Sequence, residues 1–199
     1  IQGADESGYY VSGPGCDSGK GPIDWRRLGD TGIGVVEVRS LATAPPADDR
    51  QSVREALEFA VDFAQGSRKW SDGWRGTQAL EVWNRVVEIG YAPAFGLAFN
   101  TAVWTECRKY AAEFLREARE RLFSPNLKSL WERAIHDYET VYQSLRRVHE
   151  LYPFDPQLPM DQIGCDDRSR SASEALFQAR AAEASGLETL ASVASELTA

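Results

Sequence analysis

The stretch Ala44-Pro45-Pro46-Ala47-Asp48-Asp49-Arg50-Gln51 divides the chain into two structural grammars. Before it lie nine of the sixteen glycines, scattered among short aromatic and β-branched runs. Beyond it, nearly every segment repeats its apolar residues at helical spacing. Paired prolines suit neither a strand interior nor a helix interior. Asp48, with Gln51 three residues on, has the pattern of a capping box, so a helix is expected to start there. Val53, Ala56, Leu57, Ala60, Phe63 and Ala64 mark its apolar face. The expected fold is α+β: residues 1–44 form a small antiparallel β segment, and residues 45–199 form a bundle of about five helices.

Moving toward the C-terminus, a second helix is expected from about Gly76 to Glu88, with Leu80, Trp83, Val86 and Val87 inward and Gly90 as its stop. A third is expected to run from an Asn100 cap to about Leu122. Its apolar stripe is Val103, Trp104, Cys107, Tyr110, Ala111, Phe114, Leu115 and Ala118, and Arg108, Lys109, Glu113 and Arg116 are assigned to solvent. Ser124-Pro125 restarts the chain into a fourth helix carrying Leu130, Trp131, Ala134, Ile135, Tyr138, Val141, Tyr142, Leu145 and Val148. Pro153, Pro156 and Pro159 close it, and Phe154 to Arg170 reads as a polar loop. Ser171 with Glu174 then predicts the start of a fifth helix, whose stripe is Leu176, Ala179, Leu187, Leu190, Val193 and Leu197.

Toward the N-terminus, Asp5-Glu6-Ser7-Gly8 is a turn cluster between short β runs, a hairpin signature, and a further strand is expected over Ile33–Val38. The glycine- and proline-rich run from Gly13 to Pro22 is a loop, and Ile23 to Leu28 a helical turn. Gly13 to Gly21 has neither GxGxxG nor GxxxxGK[ST], which argues against a phosphate loop. So little β structure is not expected to be stable alone. The strands read as part of a larger sheet.

Net charge is −8 and there is no basic stripe, so neither nucleic acid nor an anionic membrane is an expected partner. No apolar run reaches the eighteen or so residues of a membrane span, and no signal peptide is read. Cys16, Cys107 and Cys165 lack CxxC spacing, so free thiols in a cytoplasmic protein are expected, without metal or cofactor.

Cys107 with a downstream histidine is the minimal set for covalent catalysis, but its place in an apolar stripe assigns it to the core as a small hydrophobe. His136 and His149 are too far apart on one helix to share a metal and read as structural or surface groups. Asp155, Asp161, Asp166 and Asp167 have no calcium-loop spacing. The aromatic load after residue 69 reads first as core. Where it leaves a pocket, Trp74, Arg75, Asn100, Trp104 and Glu106 are the candidate ligand-binding residues, a few polar groups on an apolar wall.

The segment Ile1 to Pro14, with Gly3-x-Asp5-x-x-Gly8, followed by Ile23-Asp24-Trp25 and the run Ile33 to Val38, resembles the second half of a papain-like domain. It looks most like the peptidase C39-like proteins grouped with the butirosin biosynthesis protein H N-terminal domain. The helical remainder is similar in layout to the companion domain such proteins carry. The resemblance implies a thiol hydrolase or acyltransferase acting on a peptide or acyl substrate, with its catalytic cysteine and histidine upstream of Ile1. Gly13 stands before Pro14 where the family has a carboxylate, which leaves Asp17 as the candidate orienter. The alternatives are a non-catalytic helical module that binds a small molecule or partner peptide, and a structural homo-oligomer.

Overall fold

The computed structural model describes residues 3–10, 22–27, 42–66, 73–122, 124–155 and 157–198. The strand expected over Ile33–Val38 lies outside them, as do Cys16, Asp17 and Trp70. Contacts divide the chain into two compact units, Ile1–Pro45 and Pro46–Ala199. The architecture is α+β, a two-stranded antiparallel sheet and a bundle of five α-helices.

In the first unit, β1 (Gly3–Asp5) pairs with β2 (Gly8–Tyr10) across the two-residue turn Glu6-Ser7. The turn is held by one carboxylate. Asp5 accepts hydrogen bonds from the Ser7 amide at 2.8 Å and from the Ser7 and Tyr10 hydroxyls at 2.5 Å each. Those bonds lower the Asp5 pKa to about 2. Tyr9 and Ile23 exchange backbone hydrogen bonds at 2.8 and 2.7 Å, which brings a third segment alongside β2. A side chain at position 8 would put its Cβ 2.1 Å from the Ile23 carbonyl oxygen, and φ there is 151°, so glycine is required. Trp25 opens a 3-10 turn (Trp25–Arg27) and sets its ring 4.3 Å from that of Tyr9.

In the second unit, α1 (Asp49–Gln65) begins at the Asp48 cap, whose carboxylate accepts from the Gln51 amide at 2.8 Å. The reciprocal half of the box is absent: the Gln51 side chain donates to Glu55 instead. The second helix, α2, covers Gly76–Glu88. The third, α3 (Ala94–Arg121), starts six residues before the expected cap. Pro93 is its N-cap, and Asn100 lies inside the helix, donating its amide to the Gly96 carbonyl at 2.8 Å. Proline is well suited to a helix start because it has no N–H to leave unsatisfied.

After a 3-10 turn (Pro125–Leu127), α4 runs from Lys128 to Leu151. The last helix, α5 (Asp167–Thr198), starts before Ser171. Its cap is a reciprocal pair: the Ser169 amide donates to the Asp166 carboxylate and the Asp166 amide to the Ser169 hydroxyl. The carboxyl of Asp166 is held below its usual range chiefly by that Ser169 backbone bond. Part of the expected polar loop is therefore helix.

The long helices α4 and α5 form the centre, with α3 packed on α4 and both α1 and α2 on α5. Two apolar clusters result. One joins Val53, Leu57 and Val61 of α1 to Leu115, Trp131 and Val193. The other joins Leu80 and Val87 of α2 to Leu145, Val148 and Leu176. The loop before α5 is tied to the α2–α3 link by bonds such as Gly164 N to Gly90 O, and a Cβ at Gly90 would meet the Gly164 carbonyl carbon at 2.4 Å. Among the described residues no helix is long and apolar enough to cross a membrane.

Candidate functional site

Eight apolar positions make the stripe of α3 wider than one neighbouring helix can cover. Ala112, Leu115 and Ala118 go into the core against α4. Trp104, Cys107, Ala111 and Phe114 are left to form one wall of a groove of about 560 Å³. The opposite wall is Ala56, Phe59, Ala60 and Phe63 of α1, and the floor is Tyr138 of α4 with Glu183, Leu187 and Leu190 of α5. Its volume lies in the range of small-molecule pockets, about 300–1,000 Å³.

Two expectations are corrected here. Cys107 is exposed on the groove wall and is not core, because the stripe faces two directions and only one is filled. Arg108, assigned to solvent, turns inward, with only 17% of its side chain exposed. It forms a bidentate pair with Glu183, Nε to Oε2 at 2.8 Å and Nη2 to Oε1 at 2.7 Å. Its guanidinium carbon lies 4.8 Å from the Trp104 ring centroid and 6.0 Å from that of Tyr138.

Burial works against the guanidinium charge, but the Glu183 carboxylate outweighs it and raises the Arg108 pKa further. Burial, and then Glu183, also push the Tyr138 phenol above the usual tyrosine range. Like any tyrosine, it is protonated at neutral pH. Tyr138 is 5% exposed and its hydroxyl makes no hydrogen bond among the described residues. Arg108 Nη1 is likewise left over from the Glu183 pair. Arg108 and Tyr138 thus bring two uncommitted hydrogen-bond donors to the lining of a largely apolar groove. Gly186 permits this arrangement, since a Cβ there would stand 2.9 Å from Tyr138 Cε2.

Of the expected ligand-binding residues, Trp104 lines the groove. Trp74 and Arg75 line a second recess of about 500 Å³ that shares Ala64 and Leu187 with it. Arg75 also reaches over the Phe63 ring at 5.8 Å. Asn100 and Glu106 are exposed on α3 and line neither space. The aromatic load is split: Trp131 is fully buried, whereas Trp74 is 68% exposed.

His136 borders a shallow hollow and His149 has its Nδ1 buried without a partner. Asp155 accepts from the Gln157 amide and Asp166 caps α5. Among the described residues no group of His, Cys, Asp and Glu could hold a metal ion.

Arg108, Tyr138 and Glu183 are the site residues that sequence reasoning missed. A signal existed for Glu183, which falls within the stripe Leu176, Ala179, Leu187 and Leu190 at helical spacing. A charge at such a position calls for a buried partner. Comparison of the chain with protein-family models, curated proteins and solved structures finds no match.

Proposed function

We propose that the helical unit is a binding module whose groove between α1 and α3 takes an apolar small molecule. The observation that carries this is the buried Arg108–Glu183 pair beside Tyr138 in the lining of an otherwise apolar space. A buried ion pair is poor value for stability against a hydrophobic replacement of the same volume. Polar groups converging on an apolar pocket are instead the usual composition of a ligand site. A cytoplasmic, reducing setting belongs to the same reading, supported by the free and exposed Cys107 and Cys165.

The test uses the cysteines as reporters. N-phenyl-1-naphthylamine, a neutral apolar dye, is expected to bind one per chain with enhanced emission. It should slow alkylation of Cys107, on the groove wall, and leave Cys165, elsewhere on the surface, at its own rate. Ala60→Trp, which fills the groove, should abolish both effects. No binding, or equal protection of the two thiols, defeats the proposal.

Kinship to papain-like thiol hydrolases is a second reading. The observation that favours it is the tight hairpin Gly3–Tyr10 with a Trp-bearing turn beside it, the order of elements that the resemblance implies. In that reading the groove would receive the acyl or peptide substrate. Its test is the gene upstream of Ile1: a cysteine and a histidine in papain-like order would support it, and their absence would end it.

A further inference from the structure

We infer that the ligand is electrically neutral and carries a carbonyl-type acceptor, received by Arg108 Nη1 and the Tyr138 hydroxyl. The inference rests on the groove-binding reading above and deepens it. It starts from charge: the guanidinium in the groove lining is already neutralised by a carboxylate at 2.7 Å, and Glu183 is only 2% exposed. A ligand carboxylate arriving at Nη1 would meet Glu183 as well as Arg108, so attraction and repulsion largely cancel. It would also lose its hydration without gaining a counter-charge.

A neutral ketone, ester or amide loses far less on leaving water and still satisfies both donors. Both donors are in place without it: bonds to Glu183 fix the guanidinium, and packing against Gly186 fixes the phenol ring. A hydrocarbon without an acceptor would leave both groups as they are and gain only burial. Glu183 therefore acts as a specificity residue through Arg108, by removing the net positive charge that would select acids.

The experiment compares two dyes that share one ring system, 6-propionyl-2-(dimethylamino)naphthalene and 6-(dimethylamino)-2-naphthoate. The wild-type chain should bind the ketone at least about tenfold more tightly than the carboxylate. Glu183→Gln, checked for fold by circular dichroism, should raise carboxylate affinity and narrow or invert that ratio. Tyr138→Phe, which keeps the ring, should weaken the ketone more than it weakens N-phenyl-1-naphthylamine. It should also shift the emission of the bound ketone to shorter wavelength as its carbonyl loses a donor.

Equal affinities for ketone and carboxylate, or an unmoved emission in Tyr138→Phe, overturn this inference even when N-phenyl-1-naphthylamine binds. If that dye does not bind at all, the groove reading beneath it falls instead. Should Glu183→Gln fail to fold, the wild-type ratio and the Tyr138→Phe spectrum decide alone.

Discussion

Along α5, Ala172, Ala175, Leu176 and Ala179 are wholly buried beneath α2 and α4, whereas Glu183, Leu187 and Leu190 further on form the floor of an open groove. The two halves of the helix share one apolar repeat, and what differs is the cover. Over the first half, α2 inserts Leu80 and Val87, at 1% and 0% exposure. Around Glu183, Leu187 and Leu190, α1 and α3 stand apart and leave Phe59, Phe63 and Phe114 as half-open walls, and beyond them Val193 and Leu197 are buried again with α1. Amphipathic spacing thus says which side of a helix is apolar, and the placement of the neighbours decides whether that side becomes core or cavity.

The largest effect that would break this comparison lies at the boundary between the halves. Arg108→Met strands a buried carboxylate and should cost about 3–5 kcal/mol in urea unfolding. Arg108→Met with Glu183→Leu should recover most of that, since an apolar pair of similar volume fits such sites. A double variant no more stable than the single would mean that the pair holds the bundle together, which the groove reading does not expect.

Next comes leucine truncation in each half. Leu176→Ala should cost about 2–5 kcal/mol, a cavity in closed packing, and Leu187→Ala, beside open space, less than about 1 kcal/mol. Equal losses would place both in one continuous core. Smaller again is the thiol test: Cys107 should react with iodoacetamide in the folded chain at a rate comparable to that of Cys165. Protection of Cys107 by several orders of magnitude would return it to the interior.

The smallest effect, and a control in the other unit of the chain, concerns the hairpin. The Asp5 carboxyl is depressed to about 2, so its contribution is full above the ordinary carboxylate pKa and fades as pH falls toward about 2. The Tyr10 ring signals should therefore move in that window, and Asp5→Asn should remove the transition.

Much of the bundle was legible because its punctuation is local. Asp48 with Gln51 marked the start of α1, and Gly90 followed the end of α2. The start of α3 was misplaced because Ala94-Phe95-Gly96 has no capping side chain, and Pro93 served in its stead. At α5 the cap is Asp166 with Ser169, an acid followed by a hydroxyl, which the Ser-x-x-Glu pattern does not describe. Trp104, singled out as an aromatic beside polar residues, does line the groove. The Arg108–Glu183 contact spans seventy-five positions and depends on how α3 lies against α5, which no local spacing encodes. The hydroxyl of Tyr138 was hidden among residues that did go to the core.

Gly186 sits in the middle of α5, where alanine would make the better helix by about 1 kcal/mol. The missing methyl leaves room for one edge of the Tyr138 ring against the helix, where Tyr138 lines the groove. The depth of the groove is thus governed by one hydrogen atom standing where a methyl group would be. A lineage that restored the methyl would gain helix propensity and lose standing room for the phenol, so groove shape and bundle stability are tied together at a single position.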